Sequence, residues 1–247
     1  MILGAHALPA CLDAEQHRYF CPREALSLHL QAYDALLQHP IRTDAAGCRA
    51  VDAGRAIPAL AERYDLSRDG RTYNFSLRRG VGSAGGNELT AHDVKWSWER
   101  AFALNSWGAR ASRTAGVTSP DAVRVVQNYS LQIRLDEPEP NLPLLLASPF
   151  PAIYDLQTVR EHCPVGDPWG NQWLGANSAG FGPYRFGTVV SGEEAMMAAN
   201  ESYWQGVPRI RRLTVRWVGR GRSRAEALSR GTVDAIESLS HVEAEQL

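Results

Sequence analysis

The sequence predicts a mixed α/β fold, and three stretches carry that expectation. "RTYNFSLR" at 71–78 alternates Tyr73, Phe75 and Leu77 with polar neighbours, the period-two pattern of a half-buried strand. "ELTAHDVKWSWERAF" at 88–102 places Val94, Trp98, Ala101 and Phe102 on one helical face behind Thr90 and Asp93. That pair has the S/T-x-x-D/E spacing of a capped helix start. From residue 181 onward, strand-like and helix-like segments alternate. The chain has 247 residues, 44% hydrophobic and 21% charged, enough to bury a sizeable core as one large domain or two smaller ones.

In order along the chain, a strand is expected from Met1 to Ala7, ending at Pro9. "REALSLHLQAYDALLQH" reads as a helix with Leu26, Leu30, Tyr33, Leu36 and Leu37 on one face. "AIPALAERYDLS" reads as a second short helix, followed by the turn "SRDG" and the strand at 71–78. "VGSAGGNE" is a glycine-rich loop before the capped helix. "AVRVVQNYSLQIRLDEPEP" gives two strands meeting at Asn128–Tyr129 and stopped by Pro138 and Pro140. "NLPLLLAS" is a short buried helix, and residues 149–179 read as loops with one short helix. "GPYRFGTVV", "EEAMMAAN", "RRLTVRWV" and "TVDAIES" are strands; "SRAEALSRG" is a helix capped by Gly231.

Little in the composition points to chemistry. The formal charge is −1, and no run approaches the ~18 apolar residues of a membrane span. "MILGAHALPAC" ends like a lipoprotein cleavage box, but its apolar run is short and His6 interrupts it. Cys11, Cys21, Cys48 and Cys163 form no C-x-x-C pair and are read as isolated buried thiols, with a Cys11–Cys21 disulfide left open. His17 with Cys21, and His162 with Cys163, are too few ligands for a metal site. No nucleophile elbow, phosphate-binding lysine loop or H-E-x-x-H occurs, so neither an enzyme nor a cofactor is expected. Lys95 is the only lysine, and seven arginines fall between Arg209 and Arg224. That stripe alternates with Leu213, Val215 and Trp217 and reads as a solvated sheet face; contact with nucleic acid is the alternative.

Read together, six ordered stretches resemble the family 5 extracellular solute-binding proteins, the peptide and nickel receptors of ABC importers. "PALAERYDLSRDGRTYNFSLRRGV" and "NELTAHDVKWSWERAF" are similar to the family's most recognisable region. "LQIRLDEPEPNLPLLLASPFPAI", "AGFGPYRF", "NESYWQGVPRIRRLTVRWV" and "ALSRGTVDAI" follow in the family's order. The "GSAGGNE" loop and the "NESYW" turn depart from its usual wording.

The resemblance implies a lobe of the type II periplasmic-binding-protein fold built from 1–33 and 148–247, with 34–147 as an inserted α+β subdomain. Because family members are longer, it also implies that this is their N-terminal half, without the second lobe of the cleft. Its expected ligand contacts are His17, Arg18, Phe20, Trp107, Ser148 and Phe181, with Trp107 on a loop. Trp96 and Trp98 are expected to pack on both sides of the helix inside the subdomain. Expected partners are a peptide or related small solute, captured in the periplasm or outside the cell, and the ABC permease that receives it. Nucleic acid is not among them, and any membrane contact would come through the permease or a lipid anchor.

Overall fold

The computed structural model describes residues 1–5, 8, 11–16, 23–148, 151–190, 192–219 and 221–236. The elements run in the order β1 (Ile2–Ala5), α1 (Arg23–Ala32), β2 (Leu37–Gln38), β3 (Ile41–Thr43), β4 (Arg49–Val51), β5 (Ile57–Pro58), β6 (Ala61–Leu66) and β7 (Thr72–Leu77). There follow α2 (Ala91–Ala103), α3 (Trp107–Thr114), β8 (Val123–Gln127), β9 (Ser130–Arg134), α4 (Leu142–Leu146), α5 (Leu156–His162) and α6 (Asn171–Leu174). The chain closes through β10 (Tyr184–Val190), β11 (Glu194–Ala199), β12 (Arg212–Trp217), α7 (Gly221–Ser229) and β13 (Ala235–Ile236). The mixed α/β class is as the sequence implied.

One sheet has the order β10-β11-β12-β1-β13. Its first three strands are antiparallel, whereas β1 runs parallel to β12 on one side and to β13 on the other. The second sheet, β6-β7-β9-β8, is antiparallel throughout. Its inner face is Tyr73, Phe75, Leu77, Leu131, Ile133 and Val123, all buried, as period-two alternation requires.

Two cores lie side by side. One gathers residues from the first 33 positions and from 152 onward, including Leu28, Tyr33, Tyr154, Phe186, Met197 and Val215, together with Trp96. The other gathers residues 36–146, including Tyr73, Phe75 and Trp98, together with Ile153 and Phe181. Phe102 packs half-buried against this second core.

Helix α2 stands between the two cores, which explains its closely spaced tryptophans. Trp98 enters the core under the second sheet, while Trp96 meets Tyr154 and Trp169 in the first, each with ring centroids 6.0 Å away. The expected two-sided covering is therefore present, but Trp96 packs into the first core rather than the subdomain's own. The start of α2 is the capping box that the Thr90–Asp93 spacing implied.

Several expectations are corrected. The helix expected to run on to His39 stops at Ala32, where Gly180 and Gly182 press against its backbone. A Cβ on Gly180 would lie 2.1 Å from the Ala32 carbonyl oxygen, so only glycine permits this crossing. The supposed single face of that helix serves both cores. Leu36 and Leu37 are buried in the second, and Leu30 is 47% exposed.

"AERYDL", expected as part of a helix, is strand β6 because the Ser67–Gly70 turn folds it antiparallel onto β7. Pairing and the stack of Tyr64 on Phe75 override its helical propensity. The loops of 149–179 hold two short helices, α5 and α6, rather than one. Cys48 is exposed, Cys11 and Cys163 are half-buried, and Cys21 lies outside the described residues, so the pairing of Cys11 with Cys21 is not described.

Candidate functional site

In open sheets with parallel strands, ligands collect outside the strands' carboxyl ends. Here the ends of β1, β12 and β13 lie together, with Ala5 level with Trp217 and Gly4 level with Ile236. The loop after β1 therefore leaves the sheet at the edge where a crevice is expected. Its described part, Cys11–Gln16, is held by buried polar groups rather than by apolar packing alone.

Asp13 is fully buried and receives both terminal nitrogens of Arg100, at 2.9 and 2.5 Å. Arg100 also donates to the Trp169 carbonyl at 2.7 Å and to Asn171 Oδ1 at 3.1 Å. Its guanidinium carbon lies 4.9 Å from the centre of the Tyr154 ring, whose hydroxyl donates to Asp13 Oδ1 at 3.2 Å. Burial, with Asp13 close by, lifts the Tyr154 hydroxyl well above the ordinary phenol range, so it stays a donor.

Two residues on, Glu15 is buried beneath the start of α3. Ser106 Oγ donates to one of its carboxyl oxygens, and the Ala152 N–H donates to the other at 3.2 Å. Burial raises the Glu15 pKa, partly offset by the Ser106 hydrogen bond. Ser106 also caps α3 by accepting from the Ala109 N–H. A Cβ on Gly108 would fall 2.7 and 2.8 Å from the Glu15 carboxyl oxygens and 3.0 Å from Pro151 Cα. The glycine lets helix, loop and the 151–152 segment close on one another.

These contacts leave a recess of about 310 Å³ lined by Glu15, Gln16, Leu104 and Asn171. Gln16 Nε2 donates to the Asn171 carbonyl at 2.8 Å, while Cys11 Sγ donates to Gln16 Oε1 at 3.4 Å. The recess has one apolar wall, buried acid behind it and amides at its rim. That suits orientation of a polar solute rather than bond-breaking chemistry.

The expected contact residues fall differently. His17, Arg18 and Phe20 lie outside the described residues, although the chain reaches them directly after Gln16. Trp107 is the first residue of α3, not loop-borne, and packs half-buried against the first core beside Ser106 and Gly108. Ser148 is half-buried just past α4, its N–H donating to Leu145 O. Phe181 is fully buried in the second core and shows a ligand no surface.

Of these, the structure brings Trp107 to the loop that carries Glu15 and Gln16; Phe181 is packed elsewhere. Glu15, Gln16, Leu104 and Asn171 were not expected. The Arg209–Arg224 stripe is partly neutralised, since Arg211 meets Glu201 at 2.5 Å and Arg216 meets Glu194 at 3.1 Å.

The family model for bacterial extracellular solute-binding proteins, family 5 Middle, matches residues 55–247. The oligopeptide-binding protein OppA of Bacillus subtilis is 26% identical over 195 residues, which is 73% of this chain and 35% of that protein. Heme-binding protein A of Haemophilus influenzae is 28% identical over 193 residues, 72% of this chain and 35% of that one. The solved structure of MoaA from A. tumefaciens R10, in complex with mannopinic acid, superposes with a TM-score of 0.78 at 22% identity. That superposition covers 100% of this chain and 46% of the other. The chain thus spans about a third of the length of these curated relatives and about half that of the solved structure.

Proposed function

This chain belongs to the family 5 bacterial extracellular solute-binding proteins, and on that premise we propose that it forms one wall of a solute cleft serving an ABC importer. The observation that carries the reading is the recess of Glu15, Gln16, Leu104 and Asn171, two of them on the loop that follows β1. Binding is its chemistry; catalysis is not. Gln16 and Asn171 supply amides at the recess, and Trp107, next to the Ser106 that holds Glu15, is the proposed aromatic contact; His17, Arg18, Phe20 and Ser148 are proposed as further ligand contacts.

A peptide is the favoured solute, because a flat aromatic side chain and oriented amides suit a backbone that itself carries donors and acceptors. The oligopeptide-binding relative supports that choice, although the heme- and mannopinic-acid-binding proteins show how widely the fold is used. The place of action is outside the cytoplasmic membrane and the partner is a permease. The two cores support a lobe of 1–33 and 148–247 carrying an inserted subdomain of 34–147.

Saturation-transfer NMR with millimolar di- to pentapeptides tests the reading. Transfer to peptide protons is expected. Trp107→Ala should weaken it roughly fivefold or more, as loss of an aromatic anchor does, while Trp107→Phe retains most of it. No transfer from any peptide, or transfer unchanged in Trp107→Ala, would contradict the proposal.

A further inference from the structure

A second cavity lies apart from this recess. It is an open groove of about 1030 Å³ at one end of the β6-β7-β9-β8 sheet, and it shares no residue with the recess. Three arginines line it: Arg63 from β6, and Arg78 and Arg79 from the segment leaving β7.

Two of these cations are held over aromatic rings. The guanidinium carbon of Arg78 lies 4.8 Å from the Trp204 ring centre, and that of Arg79 lies 4.8 Å from that of Tyr129. Arg78 Nε donates to the Ala59 carbonyl at 2.7 Å, and Arg63 Nε donates to Ser76 Oγ at 3.3 Å. Both bonds use the inner nitrogen and do not engage the outer fork of either guanidinium. Among the described residues, none of the three arginines is paired with a carboxylate. Glu62 is the one acid in the lining. Nearby Glu88 is engaged, accepting from the Gly80 N–H at 2.6 Å and from the Tyr129 hydroxyl.

We propose that this groove is a second binding site, separate from the solute wall, and that it takes an acidic peptide segment. Three arginines against one carboxylate in the lining leave an excess of positive charge in a chain whose formal net charge is −1. Guanidinium forks match carboxylates in bidentate geometry. Cations already resting on rings lose less freedom when they bind. The volume far exceeds one inorganic anion, and the walls are concave. Both features suit a chain lying along the groove better than the plane of a lipid surface.

The test is calorimetric titration of this chain with a glutamate-rich decapeptide at low and at moderate salt. Inorganic phosphate and phosphatidylglycerol vesicles serve as separate arms. The decapeptide is expected to bind, more weakly as salt screens the charges. The doubly substituted Arg63→Gln/Arg79→Gln protein should lose about tenfold or more, corresponding to about 1.4 kcal/mol. Both positions are exposed, so the fold should survive. Arg124→Gln, an exposed arginine outside the lining, should leave affinity unchanged.

No decapeptide binding at low salt would overturn the proposal. So would equal loss in Arg124→Gln, or full affinity in the double variant. Phosphate competing as well as the decapeptide would reduce the groove to a simple anion site, and vesicle capture without peptide binding would reassign it to a membrane.

Discussion

Asp34 shows how a single carboxylate can make this fold sensitive to pH. It follows the end of α1, where the chain passes from the first core to the second, and accepts from Trp204 Nε1 at 2.7 Å. Burial raises its pKa from 3.8 to about 6, opposed by the hydrogen bonds from Trp204 and Tyr203. The folded state therefore holds the proton more tightly than the unfolded chain. That contribution to stability is fully present below the unfolded value of 3.8 and is lost as pH rises through about 6. Scanning calorimetry should show the wild-type melting temperature falling relative to that of Asp34→Asn between about pH 4 and pH 7. A difference that stays flat over that interval would remove Asp34 from this role.

Helix α2 is the element that joins the two halves. Ala91, Val94 and Trp98 face the core under the second sheet, and Ala101 is fully buried. Asp93, Ser97 and Arg100 recur at i, i+4 and i+7 as a buried polar stripe along the helix. Asp93 accepts from the Leu156 N–H at 2.9 Å, Ser97 accepts from the Tyr154 N–H at 2.9 Å, and Arg100 holds Asp13. Removing Arg100 leaves Asp13 buried without its partner, so Arg100→Ala should cost about 3–5 kcal/mol. Urea unfolding measures this, and a loss under about 1 kcal/mol would show the pair to be expendable.

The apolar side of α2, its capping box and strand β7 were legible in the sequence because each is a local pattern. The polar stripe was visible as spacing, but its meaning was not, since Asp13 and Arg100 lie 87 positions apart. The same reason hid Glu15, whose partner Ser106 is 91 positions away. Helix α3 escaped because Asn105, Ser106 and Gly108 look like loop residues, whereas Ser106 is its cap and Gly108 its point of close approach. The family resemblance pointed to Trp107, which packs half-buried against the first core, and to Phe181, whose ring the second core absorbs.

At the scale of the whole molecule, the sheet gathers the carboxyl ends of three strands, and a buried ion pair pins the loop that leaves them. Helix α3 is then clamped onto that loop through Ser106 and Gly108. A wall held in place this way before a ligand arrives would keep the ordering cost of the proposed capture low. The arginine groove shares no residue with the recess, so the two proposed sites would make distinct demands on a ligand: oriented amides at one, carboxylates at the other. The most direct test of the wall is photo-crosslinking of a neutral peptide carrying a photoreactive side chain, with the adducts mapped by mass spectrometry. Adducts should concentrate on residues 15–20, 104–107 and 171. Adducts confined to the groove around Arg78 and Arg79, or scattered with no preference, would contradict the account.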